Sequence, residues 1–417
     1  MKKFTVLLTI FLVLALPIFA GGEKESGDSV KTVHYYSMWN EAEPQGMVLA
    51  EAAEAFEEQS GIHVEINFNG RNIRKTLEPA IQAGETIDIF DEDIERVSFT
   101  WGQFIQPLDD LAAKVYPTTN GKPYESQINS TLVKLARSFT EDGSLSVIPY
   151  QPFMFAFMYN KALFAKAGIT EVPKTQEEFE EVCRKLMAVG ITPVTVDDGY
   201  MCDFFGYNID RMIGSEKTIE MANNNDFSDS SVLKFGQIWE EFSKKGYMSA
   251  KAASNIYPAC QVQEMAPEKV AMNLNGTWLP NEVSTSNPNI EWGTFAYPSI
   301  SPEGDGIEAN NIGSQSFAIN KDSKCREEAF QFIVFVTTGE YDQKLADDSN
   351  GAPMDINNTW PKVLSEAEAA FNSTTTRLPW AVGMENLAEV NAKIKENFSK
   401  LIAGSINAQE FYENMNK

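Results

Sequence analysis

Residues 32–93 read TVHYYSMWNEAEPQGMVLAEAAEAFEEQSGIHVEINFNGRNIRKTLEPAIQAGETIDIFDED, and this stretch decides the fold. Thr32–Tyr36 is a short run of β-prone residues. Over Gln45–Ser60, the apolar Val48, Leu49, Ala52, Ala53 and Phe56 recur at helical spacing, and Gly61 supplies a stop. Ile62, Val64, Ile66 and Phe68 then alternate with polar neighbours, the period of a strand with one buried face. A second helix is expected over Asn72–Ala83, closed by Gly84, and a short apolar strand over Ile87–Phe90 that stops at Asp91-Glu92-Asp93. Strands alternating with helices predict an α/β fold with a parallel, helix-covered sheet. In such sheets ligands sit beyond the carboxyl ends of the strands. That rule singles out Trp39 and Asn40 after the first strand, and Asp91 and Asp93 after the third, as candidate ligand contacts.

Outward from this stretch, the N-terminus has the order of a secretory signal peptide. Met1-Lys2-Lys3 is positive, Phe4–Leu16 is apolar, and Ala20 offers a small residue for cleavage. The apolar run is shorter than the roughly 20 residues a membrane-spanning helix needs. Residues 1–20 are therefore expected to be removed on export, placing the chain in the periplasm or otherwise outside the cytoplasm. Residues 21–30, rich in Gly, Ser and Glu, are expected to form a linker. No Cys lies near the cleavage site, so no lipid attachment is expected there. The 59 acidic against 34 basic residues give a net charge of −25, which repels nucleic acid phosphates and anionic membranes. Cys183, Cys202, Cys260 and Cys325 lack CxxC spacing, which argues against a structural zinc site or a thioredoxin-like motif; export permits disulfides of open connectivity. The chain is too long for one core, so two lobes are expected.

The middle of the chain repeats the strand and helix style. Val147–Tyr150 is extended, and Phe153–Tyr159 is a strand rich in aromatic residues and Met. Thr175 and Glu178 have the spacing of a capping box, followed by a helix lined by Phe179, Val182, Cys183 and Leu186. Val232–Lys245 is expected as a helix with Trp239 in its core face, and Val270–Leu274 as a strand ending at Asn275-Gly276. A strand over Ser316–Asn320 and a helix over Arg326–Thr338 follow. Trp101, Trp239 and Trp292 are expected in the core. His34 and His63 are too few for a metal cluster, and Asp347–Gly351 lacks the alternation and terminal Glu of an EF-hand. No GxSxG, HExxH or P-loop occurs, so no catalytic residue, metal or cofactor is expected.

Taken together, FEEQSGI (56–62), IDIF (87–90), FIQPLDD (104–110), IPY (148–150), YNKALFAKAGI (159–169), AMNLNGTW (271–278) and EAFQFIVF (328–335) carry a resemblance. By their number, order and spacing the chain is similar to the extracellular carbohydrate-binding proteins of ABC importers, the maltose-binding-protein type. The resemblance implies a two-lobed periplasmic-binding-protein clamp with hinge crossovers, of type II. Carried over, residues 31–110 and 298–340 would form the N-terminal lobe, and 111–297 with 341–417 the C-terminal lobe. Tyr150-Gln151 and Gly313-Ser314 would lie near the hinge. Trp278, after the Asn275-Gly276 turn, matches a stacking position, Trp380 takes the place of another, and Tyr200 with Asp198 resembles the cleft-tyrosine loop. Where relatives often place an aromatic-plus-Asp signature after the third strand, this chain has Asp91-Glu92-Asp93.

The resemblance implies a sugar or oligosaccharide ligand, permease subunits of an ABC importer as partners, a monomer and no enzymatic activity. Sugars need carboxylates or amides for paired hydrogen bonds and rings for stacking, and the candidate set of Trp39, Asn40, Asp91, Asp93, Tyr150, Gln151, Asp198, Tyr200, Asn275, Trp278 and Trp380 supplies both. Two other readings compete. A polyamine or other cation could be drawn by the acids. A secreted glycosidase could use Asp91 and Asp93, although two acids in one turn rarely flank a scissile bond at the required separation.

Overall fold

The computed structural model describes residues 31–417; the expected signal peptide (1–20) and linker (21–30) lie outside the described residues. The opening stretch forms β1 (Thr32–Ser37), α1 (Pro44–Ser60), β2 (His63–Phe68), α2 (Ile73–Gln82) and β3 (Ile89–Asp93). Strand β1 lies between β2 and β3 and is parallel to both, as the alternation predicts. Helix α1 starts on Pro44, whose missing N–H is no loss in a first turn, and buries Val48, Leu49, Ala52, Ala53 and Phe56. One expectation changes here. Strand β3 does not stop at Phe90 but runs through Asp93, because it pairs antiparallel with β8 (Ala309–Ile319), Asp91 opposite Phe317 and Asp93 opposite Gln315.

Two long antiparallel strands join the halves of the sheet. Strand β4 (Ile148–Asn160) absorbs both extended segments expected around residue 150, and pairs with β8 from Ile148↔Phe317 to Phe155↔Asn311. Its register shifts between Tyr150 and Pro152, where Gln151 bulges out at φ 45. Beyond it lie β6 (Val270–Gly276), antiparallel to β4, and β5 (Thr192–Thr195), parallel to β6. Strand β7 (Trp292–Phe295) also pairs with β4, and β9 (Thr376–Arg377) runs parallel to β8. The order across the sheet is β2-β1-β3-β8-β4-β6-β5.

Apolar packing divides along this sheet. One core gathers Val33, Leu49, Ile89, Phe90, Leu111, Leu132, Tyr150, Phe317 and Phe332. Another gathers Phe155, Phe157, Phe179, Phe204, Trp239, Leu274, Leu378 and Phe398. The buried apolar side chains between Leu111 and Val147 pack in the first core. Strand β4 enters both, Tyr150 and Met154 in the first and Phe155 and Phe157 in the second. The helix Gln176–Ala188 carries the Thr175–Glu178 capping box, and Trp101, Trp239 and Trp292 are buried, as expected. All four cysteines are free, Cys183 within the second core. His63 sits beside Glu57, 2.7 Å away, near the surface. No described helix is long and apolar enough to cross a membrane.

Candidate functional site

The residues singled out at strand ends and by resemblance separate into two groups. Four half-buried side chains, Asp93, Tyr200, Trp278 and Trp380, come together around Phe153 and Phe155. The rings of Trp278 and Trp380 lie 5.9 Å apart at 39°. Phe153 presents its edge to Trp278 at 5.3 Å and sits 5.4 Å from Trp380, while Phe155 packs 5.3 Å from Tyr200. The indole N–H of Trp278 donates to the Tyr200 hydroxyl at 3.2 Å, and that of Trp380 donates to Asp93 Oδ2 at 3.2 Å. Burial, reinforced by the charges of Glu95 and Glu92, raises the Asp93 carboxyl to about 7, and the Trp380 N–H holds it back.

Local chemistry explains why these rings stand where they do. Gly276 leaves room for the Trp278 ring, since a Cβ there would come within 2.2 Å of ring carbons. Trp380 is placed by β9: Leu378 N–H donates to Asn310 O at 2.9 Å, and Asn311 Nδ2 donates to Leu378 O at 3.0 Å. The chain then turns through Ala381 (φ 46) and Val382 (φ 52), a left-handed pair that costs energy at a β-branched residue and is held by surrounding contacts. Buried Asp203 accepts the Ala381 N–H at 3.1 Å, and the turn lies against Gly206 of the helix Met201–Ile213. A Cβ on Gly206 would meet Ala381 O at 2.4 Å, and backbone cannot step aside. Gly206→Ala is expected to lower stability by about 1–3 kcal/mol and to displace Trp380. The denaturation midpoint and tryptophan emission check this; an unchanged midpoint and spectrum would show the turn to be compliant.

The other group is wired to itself. Asp91 is buried inside β3, its Oδ1 accepting the Met38 N–H at 2.8 Å and its Oδ2 accepting the Tyr150 hydroxyl. Tyr150 in turn accepts the Trp39 indole N–H at 2.7 Å and stacks on Phe317 at 4.1 Å. Trp39 is 6% exposed, with the Arg71 guanidinium 4.5 Å over its ring. The strand-end rule pointed to Asp91 and Trp39 as contacts; pairing of β3 with β8 turns Asp91 inward instead, where it ties the first loop to the crossover strand. Asn40 is exposed and donates to Glu43 at 3.2 Å. Gln151 reaches Ser349 Oγ at 2.5 Å, pinning the β4 bulge to the helix Gly339–Ser349. Asp198 accepts the Tyr257 N–H at 2.8 Å. Asn275 is buried on the face of β6 opposite to Leu274, paired across to Ala156.

Sequence reasoning left out several neighbours. Phe153 and Phe155 belong to the aromatic strand that the composition had already marked, and they form the floor under both indoles. Tyr257 stands 6.0 Å from Tyr200 and donates to Glu282 Oε1 at 2.5 Å. Burial raises Glu282 to about 7, and the positive charge of Arg71 acts on both Tyr257 and Glu282 from the first core's side. Glu92 has no place in the aromatic group: it is buried, with Arg74 at 2.6 Å and Arg96 at 3.5 Å neutralising it. The arrangement suits a ligand with flat C–H faces and polar edges. The rings provide stacking area, and Asp93 and Glu282 provide hydrogen-bond acceptors at its margin.

Known proteins resemble this chain at both levels. It is 24% identical over 361 residues to the melibiose/raffinose/stachyose-binding protein MelE of Bacillus subtilis, covering 83% of this chain and 80% of that protein. It is 22% identical to the multiple sugar-binding protein of Streptococcus mutans, covering 80% and 77%. Its fold is similar to that of the apo form of RafE from Streptococcus pneumoniae, with a TM-score of 0.73 over 94% of this chain and 98% of that one, at 18% identity. Such neighbours are two-lobed α/β proteins, and the sheet described above has that architecture. The family model for bacterial extracellular solute-binding proteins matches residues 41–343. With its matched span covering most of the sequence, the chain belongs to the family of bacterial extracellular solute-binding proteins.

Proposed function

We propose that this protein captures a sugar or oligosaccharide outside the cytoplasm and hands it, chemically unchanged, to the permease subunits of an ABC importer. The observation that carries the reading is the part-exposed pair Trp278 and Trp380 over Phe153 and Phe155, with Asp93 hydrogen-bonded to one indole. Rings that offer a free face beside a carboxylate match the alternation of flat C–H faces and hydroxyls on a pyranose. The names of relatives that bind melibiose, raffinose and stachyose support the same class.

Capture works by closure. The two lobes follow the two apolar cores, so residues 111–147 join the first lobe and the chain beyond Leu378 the second. The crossing strands β4 and β8 act as the hinge, and the register shift at Gln151 lies within it. Ligand docks on the aromatic floor, and residues of the first lobe such as Arg71 and Asp93 close over it. The closed form then dominates because it binds ligand better. Residues 1–20 direct export, no lipid is attached at the cleavage site, and the protein acts as a monomer.

A thermal-shift panel tests this, because a ligand that binds only the folded form raises the melting temperature. Raffinose, stachyose or melibiose is expected to raise it, while spermidine is not. A shift by spermidine with none by any sugar would establish the cationic reading instead. Turnover of chromogenic glycosides, abolished by Asp93→Asn, would replace capture by catalysis.

A further inference from the structure

The chain leaves the first core at Phe371 and enters the second at Leu378, and the residues between them form a strap that joins the two. Residues 372–376 of this strap are exposed or part-exposed. They are held to β8 through its backbone: the N–H groups of Thr375 and Thr376 both donate to Glu308 O, at 3.0 and 3.3 Å, and β9 sets Arg377 beside Asn310. Trp380, one of the two indoles of the aromatic group, stands at the far end of the strap. Whatever fixes the strap therefore fixes that ring.

Arg377 is the side chain that anchors it. Its Nη2 pairs with the Glu95 carboxylate, its Nε donates to Ile312 O at 3.2 Å, and its guanidinium lies 5.7 Å over the Phe139 ring. Glu95 and Phe139 both lie on the side of the first core. Glu95 sits between Ile94 and Val97, two buried members of that core, and Phe139 packs against it. At 6% exposure the Glu95 carboxylate needs a cation, and Arg377 supplies it. The strap thus changes core within one peptide bond: Arg377 is tied to the first, and Leu378 is buried in the second.

The same pair is joined to the aromatic group at its other end. The Glu95 N–H donates to Asp93 Oδ1 at 3.0 Å, and Asp93 Oδ2 accepts the Trp380 indole N–H at 3.2 Å. These contacts close on themselves, running from Asp93 to Glu95, from Glu95 to Arg377, along the strap to Trp380 and back to Asp93. A lone hydrogen bond from a part-exposed indole exchanges readily with water. In a closed set no member shifts without breaking a second contact, so ring and carboxylate keep their separation. Arg377 also decides which acid stays available. Its guanidinium is spent on Glu95, while Asp93 meets two N–H donors and keeps acceptor capacity for a ligand hydroxyl.

We propose that Arg377 and Glu95 are positioning residues for ligand capture: their ion pair pins the strap to the first core and so holds the Trp380 ring and the Asp93 carboxylate in register for one ligand. This rests on the sugar-capture reading and adds to it the contact that pre-organises the site. Neither residue touches the ligand; both act through Trp380.

Isothermal titration of the mature protein with raffinose, beside a thermal melt, tests this. Replacing a buried ion pair by apolar side chains of similar size is often neutral for stability, so Glu95→Leu with Arg377→Met is expected to melt no lower than about 3 °C below the parent. Its affinity for raffinose is expected to fall by about tenfold, because a ring that is no longer held must be ordered on binding. In a Trp380→Ala background the same double change is expected to cost less than about twofold, since the pair acts through that ring. Arg377→Lys keeps a charge facing Glu95 and is expected to retain affinity within about threefold, a rescue that loss of packing alone would not allow. If the double variant is unstable, Arg377→Gln takes its place under the same criteria. A folded variant that binds raffinose within about twofold of the parent would show the pair to serve the fold alone, and this proposal would fall while sugar capture stands. An equal loss in the parent and Trp380→Ala backgrounds, or no rescue by lysine, overturns it as well. Failure of the wild type to bind raffinose, stachyose and melibiose removes the sugar reading and this proposal together.

Discussion

Trp278→Ala is expected to weaken binding of whichever sugar raises the melting temperature by about 30-fold or more, the size of effect seen when an aromatic anchor is removed from a binding site. The structure explains why this side chain should carry so much. Its ring is pre-positioned: Phe153 braces it edge-on at 5.3 Å, Tyr200 accepts its N–H, and Gly276 leaves the space it lies in. A ring held in place pays little entropy on binding, so most of its contact energy appears as affinity. Trp380→Ala removes the neighbouring face and leaves the half-buried Asp93 carboxyl without its N–H partner, so a loss of similar size is expected. Both rings sit at the margin of the second core, and the fold should survive their removal. Titration calorimetry beside a thermal melt reads both quantities. Parent-like affinity in both variants would place the ligand elsewhere on the protein.

The second large effect concerns pH. Burial raises the carboxyls of Asp91 and Asp93 from 3.8 to about 7. In both, the folded protein holds a proton that the unfolded chain has already lost. Between 3.8 and about 7 the unfolded state therefore binds fewer protons, and stability falls as pH rises, by at most about 1.4 kcal/mol per pH unit for each group. The contribution is complete below 3.8, has been lost above about 7, and is flat beyond. The net charge of −25 acts in the same direction, since acidification relieves self-repulsion. The melting temperature is thus expected to be several degrees higher near about pH 5 than near about pH 8. Asp91→Asn, which mimics the protonated carboxyl between Met38 N–H and Tyr150, should flatten the slope. A melting temperature that rises with pH over that interval would show that these carboxyls are ionised in the fold.

Much of this molecule could be read from local pattern. The helical spacing of Val48 to Phe56, the alternation of Val64 to Phe68 and the Thr175–Glu178 capping box each act within a few residues, and each appears where expected. Trp278 and Trp380 were found through likeness to relatives and lie side by side, 102 positions apart in sequence, at 5.9 Å. The structure buries Asp91, which the strand-end rule had singled out, for a physical reason. Whether a carboxylate after an apolar strand turns into solvent or into the core depends on whether another strand continues the pairing. Here β8, more than 200 residues later, does continue it.

By itself, then, the sequence determined the βαβαβ opening, the core faces of its helices and an acidic chain with an export-type N-terminus. These follow from periodicity and charge, which need no distant partner. Only the tertiary structure decided which acid faces the aromatic floor. Asp93 does so because β9 carries Trp380 beside it, whereas Asp91, two residues earlier, is consumed by Met38 and Tyr150. It also decided that Glu282, unremarkable in the sequence, sits against Tyr257 with one oxygen unpaired. A side chain's role at a site depends on which of its atoms remain free after the rest of the chain has packed, and that is a property of contacts between residues far apart in sequence.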